Sequence, residues 1–431
     1  MSKQMRTGRF YGWTVVRAAF VLGVFGWGLG FYGPPVFLAV IRETRGWSFA
    51  LISAAISLHF LAGAITGANL PGLHRGWGAA LVTKMGALSI AAGIIGWAMA
   101  SAPWHLFVAA VLSGAGWGTM SAAALNAIVS PWFVRGRPAA LGMAYNGGSV
   151  GGIVFSPLWA VAISGLGFSL AASVIAAVTV ITMWLLADRV FSRTPETMGV
   201  SPDGDAPNTP AAVVTSPSAR PLPGPLLWRD RRFLTLCAGM SFGLFAQIGL
   251  TAHLYSLLVP ALGTQGAGWA MGLITVMAIA GRTLLGRLMP VEPRGADRRL
   301  IACGGYAIQM VGSIALMLAG GTNVPLLMTG VVLFGVGFGN ATSLPPLIAQ
   351  VEFVKDEVPR VAALIVAVAQ GGYAIAPALF GLIRELALHA AGAAPGHAPM
   401  LFAAAALVQC LAAGAFLAGR RPGVISAKAP R

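Results

Sequence analysis

Hydrophobic residues run along this chain in long, nearly unbroken stretches, without the alternation of a strand or the one-sided stripe of a surface helix. Twelve such segments lie at roughly 13–40, 49–70, 79–100, 104–128, 139–163, 166–188, 233–258, 268–289, 299–319, 324–349, 361–384 and 398–419. Each is long enough to cross the roughly 30 Å hydrocarbon core of a bilayer as a helix. Lipid offers no partner for open backbone groups, so helices are required. The pattern predicts an all-α membrane protein with twelve transmembrane helices. Segment 1 follows Lys3, Arg6 and Arg9 and lacks a small-residue cleavage site, so it reads as a span and not as a signal peptide.

Composition sharpens this. Of 431 residues, 57% are hydrophobic and 9% charged, with a mean hydropathy of +0.79. A soluble domain is nearer about 25% charged, which argues against a water-soluble enzyme. The net charge of +16 would suggest nucleic acid on a soluble chain. Here the basic residues sit between apolar segments and report topology instead. Arg75, Arg135, Arg137, Arg189, Arg193, Arg229, Arg231, Arg232, Arg298, Arg299, Arg360, Arg420 and Arg421 fall on the side of the termini, against Arg42, Arg45 and Arg384 on the other. The positive-inside rule then places both termini in the cytoplasm. Cys237, Cys303 and Cys410 lie inside apolar segments with no metal-ligand spacing, and His389 and His397 are too far apart for a metal. No cofactor is implied.

Residues 189–232 hold eight prolines and no apolar run. They read as a disordered cytoplasmic linker between a six-helix bundle over 1–188 and a second over 233–431 with its tail. The halves look duplicated. Gly114-Ala115-Gly116-Trp117-Gly118 in segment 4 parallels Gly335-Val336-Gly337-Phe338-Gly339 in segment 10. Asn146-Gly147-Gly148 parallels Gln370-Gly371-Gly372, and Trp47 parallels Trp269. Internal repeats of this kind typify secondary transporters, whose site lies between the halves.

Twelve spans, the repeat and the basic linker together resemble the major facilitator superfamily over nearly the whole chain, as two pseudo-symmetric six-helix bundles. Several segments are similar to the monocarboxylate-transporter and oxalate/formate-antiporter branch. These are Tyr11-Gly12-Trp13-Thr14-Val15-Val16, Gly46-Trp47-Ser48, Trp132-Phe133 followed by Arg135-Gly136-Arg137, Gly147-Gly148 with Gly151, and Ala280-Gly281-Arg282 through Gly286-Arg287. The resemblance implies that Arg282 faces a substrate carboxylate and that His59 occupies a substrate-facing position of some bacterial members. Departures accompany it. The 2–3 loop, from Gly67 to Gly78, has no acidic residue. The acidic position four before the segment 8 arginine is Ala278, segment 11 has no lysine, and a segment 4 tyrosine is replaced by Ala122.

The residues alone also point to Arg282. It is the only basic residue placed in the middle third of a span, while all 12 acidic residues fall in loops or near helix ends. A guanidinium in lipid costs at least about 2.5–3.5 kcal/mol, so it should face the interior, and its planar fork suits a carboxylate. The alternative is a snorkelling residue nearer the cytoplasm. His59 and His253 are the histidines within spans and the candidate proton carriers; the bland alternative is a neutral histidine bonded to a neighbouring helix. Tyr32, Asn126, Tyr145, Asn146, Gln247, Asn340, Gln370 and Tyr373 are candidate lining residues, against the alternative of ordinary helix–helix bonds. Pro34-Pro35, Pro345-Pro346, Pro157 and Pro377 interrupt helices.

The expected function is secondary active transport of a small, monocarboxylate-like organic anion by alternating access, with proton-coupled symport. Alternatives are oxalate/formate-type anion exchange, proton-driven efflux of hydrophobic compounds, and a non-transporting receptor. An enzyme is not expected, because the loops are short and carry no catalytic cluster. Partners are the anion, protons and lipid, without nucleic acid, for a protein working as a monomer. Ala- and Arg-rich, Lys-poor usage points to a bacterial inner membrane.

Overall fold

A computed structural model describes residues 10–204, 224–288, 297–354, 357–391 and 396–420. Lys3, Arg6, Arg9, Arg220, Arg294, Lys355, Arg421 and residues 205–223 of the proline-rich stretch lie outside the described residues. The described chain is helical: α1 (Gly12–Gly30), α2 (Gly33–Arg45), α3 (Phe49–Met99), α4 (Pro103–Gly118), α5 (Ala122–Val129), α6 (Arg137–Leu166), α7 (Phe168–Leu186), α8 (Pro195–Met198), α9 (Gly224–Leu227), α10 (Arg231–Leu288), α11 (Arg298–Leu318), α12 (Val324–Phe338), α13 (Asn340–Glu352), α14 (Val358–Ala374), α15 (Ala376–Ala391) and α16 (Pro399–Ala418). Among the described residues, ten helical stretches are long and apolar enough to cross a membrane.

Two of these are too long for one crossing. At about 1.5 Å per residue, the 51 residues of α3 and the 58 of α10 each exceed twice the bilayer core. Each breaks at one glycine in a conformation closed to other residues: Gly78 (φ 76°, ψ 154°) and Gly263 (φ 70°, ψ 171°). Both breaks lie where the sequence places the 2–3 and 7–8 connections. The two parts of α3 lie side by side, because both pack on α4. A Cβ at Gly114 would strike the His59 carbonyl, at Gly116 the Gly86 carbonyl and Ile90, and at Gly118 the Gly63 carbonyl and Thr66.

The same packing recurs in the second half. Cβ atoms at Gly335, Gly337 and Gly339 would strike Ile274, the Gly305 carbonyl with Gln309, and Ala278 with Arg282. Segment 10 thus sits between segments 8 and 9 as segment 4 sits between segments 2 and 3. Likewise Gly147 and Gly151 admit the Phe20 and Val24 carbonyls of α1 onto α6. Small residues bring backbones together because packing, not hydrophobic exclusion, joins helices in lipid.

Four spans are interrupted midway: between α1 and α2 at Phe31–Tyr32, between α4 and α5 at Thr119–Ser121, between α12 and α13 at Gly339, and between α14 and α15 at Ile375. In the first, Pro34 has no N–H to offer the Gly30 carbonyl. His59 Nε2 donates to that oxygen instead, at 2.8 Å.

Part of the stretch expected to be disordered is folded. A wide helical turn covers Ala187–Phe191, and Thr194 caps α8. Asp203 accepts the N–H groups of Val134, Arg135 and Gly136 at 3.1, 2.8 and 3.1 Å, just ahead of α6. The reason is local: three unsatisfied donors at a helix start attract a carboxylate more strongly than proline-rich composition resists. Burial opposes ionisation of Asp203, but those three donors and the Arg135 charge outweigh it, so its pKa lies below the ordinary aspartate range. In the second half Arg299 is 2% exposed and pairs with both carboxylate oxygens of Glu352 (2.6 and 2.8 Å). That pair ties the start of α11 to the end of α13, where only topology signals were expected.

Two outcomes follow from this packing. Gly147→Ala should lower the melting temperature of the purified protein, at a cost of about 1–3 kcal/mol for overpacking, whereas Gly142→Ala, with open space around it, should not. The Asp203 bridge is present above the ordinary aspartate pKa and is lost as pH falls through its depressed value. Limited proteolysis of residues 189–204 should therefore be slow at neutral pH and accelerate in acid, and Asp203→Ala should be cut fast at both.

Candidate functional site

Arg282 lies on α10 with Thr275 two turns before it, on the same face. That face meets α6 of the first half. The Arg282 Nη2 donates to Ser149 Oγ at 2.7 Å, and Thr275 Oγ1 donates to the Tyr32 hydroxyl at 3.2 Å. Both bonds cross between the halves. Two glycines make room for them. A Cβ at Gly152 would meet the Tyr32 ring and Thr275 Oγ1 (2.5 and 2.6 Å), and one at Gly339 would meet the Arg282 stem (2.8 Å). Arg282 is partly buried, and among the described residues no carboxylate lies within ion-pair distance of it.

Aromatic rings surround this level. Phe31 packs on Tyr32 (5.0 Å between centroids), on Phe60 (6.1 Å) and across the halves on Phe338 (6.4 Å). Phe60 meets Tyr373 of α14 edge-on at 6.0 Å, again across the halves. Between this level and the end opposite the termini, the halves are closed. Pro157 and Ala160 pack on Gly268, and Ser53 on Gly381, while Ser57 Oγ accepts the Ala378 N–H at 2.9 Å. Toward the termini, α5 and α13 pack extensively only on helices of their own half. Among the described residues no hydrogen bond joins the halves on that side of Ser149 and Arg282. The site therefore lies where the bonding between the halves ends, on the side of residues 10 and 420.

The other expected residues are distributed unevenly. Tyr32 and Tyr373 sit at the seam with Arg282. Tyr145 and Asn146 are exposed on α6 beside Ser149, and Gln370 is half-buried on α14. Asn126, exposed on α5, accepts Ser130 Oγ at 2.5 Å. Asn340 turns into its own half, with Nδ2 on the Val336 carbonyl (3.3 Å) and Oδ1 buried without a partner. Gln247 is buried inside the second half and accepts Gln309 Nε2 at 3.4 Å.

His59 lies inside the first half. It is 1% exposed, with Nε2 on the Gly30 carbonyl and Nδ1 2.8 Å from Ser113 Oγ, which also accepts Trp97 Nε1 at 3.0 Å. A carbonyl only accepts, so Nε2 carries the proton and Nδ1 takes the Ser113 hydroxyl. Its nitrogens are committed to the Gly30 carbonyl of the broken segment 1 and to Ser113 of α4, which leaves neither free for the substrate role expected of it. His253 lies on the seam, 3.4 Å from both Ser53 Oγ and the Pro377 carbonyl. Sequence reasoning missed Ser149, Thr275, Phe31, Phe60 and Phe338. The signal available was the spacing of seven between Thr275 and Arg282, which is indistinguishable from ordinary core packing, and the other four lie beside Tyr32 or on other spans.

A polytopic helical bundle with a charged site at the seam of two similarly packed halves is the architecture of a secondary transporter. The chain belongs to the Major Facilitator Superfamily, whose family model matches residues 20–377. In structure it is similar to a point mutant of the nucleoside transporter NupG at 16% identity, with a TM-score of 0.70 over 94% of this chain and 100% of that one. It is also similar to a D-xylose-proton symporter (14%, TM-score 0.71, 94% and 97%). A third match is a bacterial homolog to the human lysosomal transporter Spinster, in an inward-facing and occupied conformation (13%, TM-score 0.70, 96% and 97%). No curated protein matches the chain in sequence. These likenesses carry the fold, and the substrate has to be read from the site.

Replacing His59 should act on stability. His59→Leu leaves the Gly30 carbonyl unpaired in the interior, at a cost of about 1–3 kcal/mol, and should lower the melting temperature. His59→Gln should leave the shape of the transport–pH profile unchanged, as measured by initial rates in liposomes.

Proposed function

We propose that the chain is a twelve-helix carrier of a small organic anion, driven by alternating access and coupled to protons. Both termini lie in the cytoplasm of a bacterial cell, and the halves over 1–188 and 233–431 rock about the seam. The observation that carries this reading is Arg282: a cation between the halves whose bonded partner is a neutral hydroxyl. A guanidinium held there without a carboxylate favours an incoming anion, since binding supplies the missing charge and a bidentate pair. The surrounding Tyr32, Phe31 and Phe338 rings suit an apolar body attached to a carboxylate. The motif resemblance to the monocarboxylate and oxalate/formate branch supports the same substrate class. The basic residues on the termini side support the orientation, and with it a cleft that opens inward.

The contacts across the seam support alternating access. Opening the other side requires breaking the Ser57, Tyr32–Thr275 and Ser149–Arg282 bonds across the seam. A substrate bridging Arg282 to Tyr32 or Ser149 replaces part of that loss, so the loaded carrier can cross more readily than the empty one.

The test is uptake of labelled small carboxylates into liposomes, with and without a proton gradient. Wild type should concentrate an anion when the gradient is imposed, and Arg282→Gln should lose at least about tenfold in rate, the weight of one lost charged bond. Uptake driven only by internal anion indicates exchange. Unchanged transport by the folded variant overturns the anion reading.

A further inference from the structure

The closure opposite the termini holds a charged cluster that the Arg282 site does not use. Arg384 of α15 is 7% exposed. Its guanidinium lies 3.6 Å from the centre of the Phe49 ring on α3 and donates to Ser256 Oγ of α10 at 2.5 Å. Its Nη1 also lies 3.5 Å from His253 Nδ1. A guanidinium has only donors, so Nδ1 faces it as an acceptor and the ring proton sits on Nε2. There Nε2 faces the Pro377 carbonyl and Ser53 Oγ, both at 3.4 Å. Phe49 and Ser53 belong to the first half, and His253, Ser256 and Arg384 to the second. The cluster is therefore part of the seam.

The other charged groups around it are few. Arg42 at the end of α2 also lies over Phe49, at 4.9 Å, and donates to the Trp47 carbonyl at 2.9 Å. Glu385 accepts the Phe49 N–H at 2.8 Å and so caps the start of α3. Glu43 lies within electrostatic reach of Tyr255, two residues along α10 from His253. Two cations thus meet one ring, and the nearest carboxylate is already committed to a backbone donor.

We propose that His253 is a proton-operated latch on this closure: the halves seal here only while His253 is neutral, and a proton on it holds the outer side open. The geometry gives the reason. A proton on Nδ1 turns an accepted hydrogen bond into a donor facing a donor. It also places an imidazolium against Arg384, with Arg42 close behind, while the Glu385 carboxylate stays turned to the Phe49 N–H. Parting the halves lets water reach both cations and removes the conflict. Proton binding and outer closure therefore exclude each other, and acid outside shifts the population toward the outward-open state. This assigns the proton-sensing step of the carrier proposed above to the outer seam, separate from the anion-binding floor at Arg282, and it rests on that reading for its place in a transport cycle.

The test needs no substrate. Spin labels on Gly165→Cys and Gln265→Cys, at the outer ends of α6 and of the second part of α10, report the outer opening by double electron–electron resonance. Cys237, Cys303 and Cys410 are replaced by serine, and the full chain is held in lipid nanodiscs. Between about pH 7.5 and about pH 5.5 the wide-distance population should grow several-fold with His253 in place. It should stay constant in His253→Gln. Arg384→Gln, which removes the conflicting charge, should also abolish the acid response, and it decides the matter if the first variant does not fold. An acid response that persists in either folded variant, or none in the parent protein, overturns the latch. Because no anion is present, a failed uptake test of Arg282→Gln leaves this result standing, and a failed latch leaves the anion site standing.

Discussion

Lipid accepts no hydrogen bonds and solvates no charge, and most features of this molecule answer that constraint. Polar groups inside the bilayer need partners, and several of the polar residues become the places where helices are fastened. Pro34 shows the logic in miniature. It frees the Gly30 carbonyl, and His59 reaches over from α3 to bond it, held in turn by Ser113 and Trp97. Arg299 is satisfied the same way, by Glu352, Thr235 and two carbonyls. Arg282 stands apart because its bonded partner is one serine hydroxyl on the opposite half. A cation so placed is stabilised by whatever negative group enters the cleft.

Glycine makes the two halves alike. The triplets ending at Gly118 and Gly339 let segments 4 and 10 lie backbone to backbone between their neighbours, and both segments break just beyond. Tightly packed halves move as units, while the seam between them is bonded by a small number of polar contacts. Such a division favours rocking over local deformation. It also explains why the seam concentrates chemistry: the Arg282 site at its floor and the Arg384–His253 cluster toward the closed end.

Much of this was legible in the sequence. Apolar stretches are a strong signal because a bilayer fixes their length, and the repeat was visible in Gly114–Gly118 against Gly335–Gly339. Arg282 was conspicuous as a lone cation in a span. What stayed hidden depended on direction. Sequence places His59 in a helix but not which way it faces, and its partner is a carbonyl freed by a proline 25 positions away. Ser149, Thr275 and Phe338 look like any small or aromatic helix residue until the two halves are set against each other. Arg384 read as a topology signal because it lies near a helix end, whereas the structure buries it on Phe49. Asp203 could not be found in a proline-rich stretch, since its attraction is to backbone donors that carry no sequence label.

The most direct test of the central claim, that an anion completes the charge at Arg282, is thermal stabilisation of the purified wild-type protein by candidate ligands. Small monocarboxylates, dicarboxylates, a nucleoside and a neutral sugar would be compared at matched ionic strength. A ligand at about 100 times its Kd stabilises the folded state by about 2.7 kcal/mol, a shift of several degrees. The account predicts that a carboxylate raises the melting temperature and that its uncharged amide does not. Stabilisation by the nucleoside or the sugar, with none from any carboxylate, would contradict it.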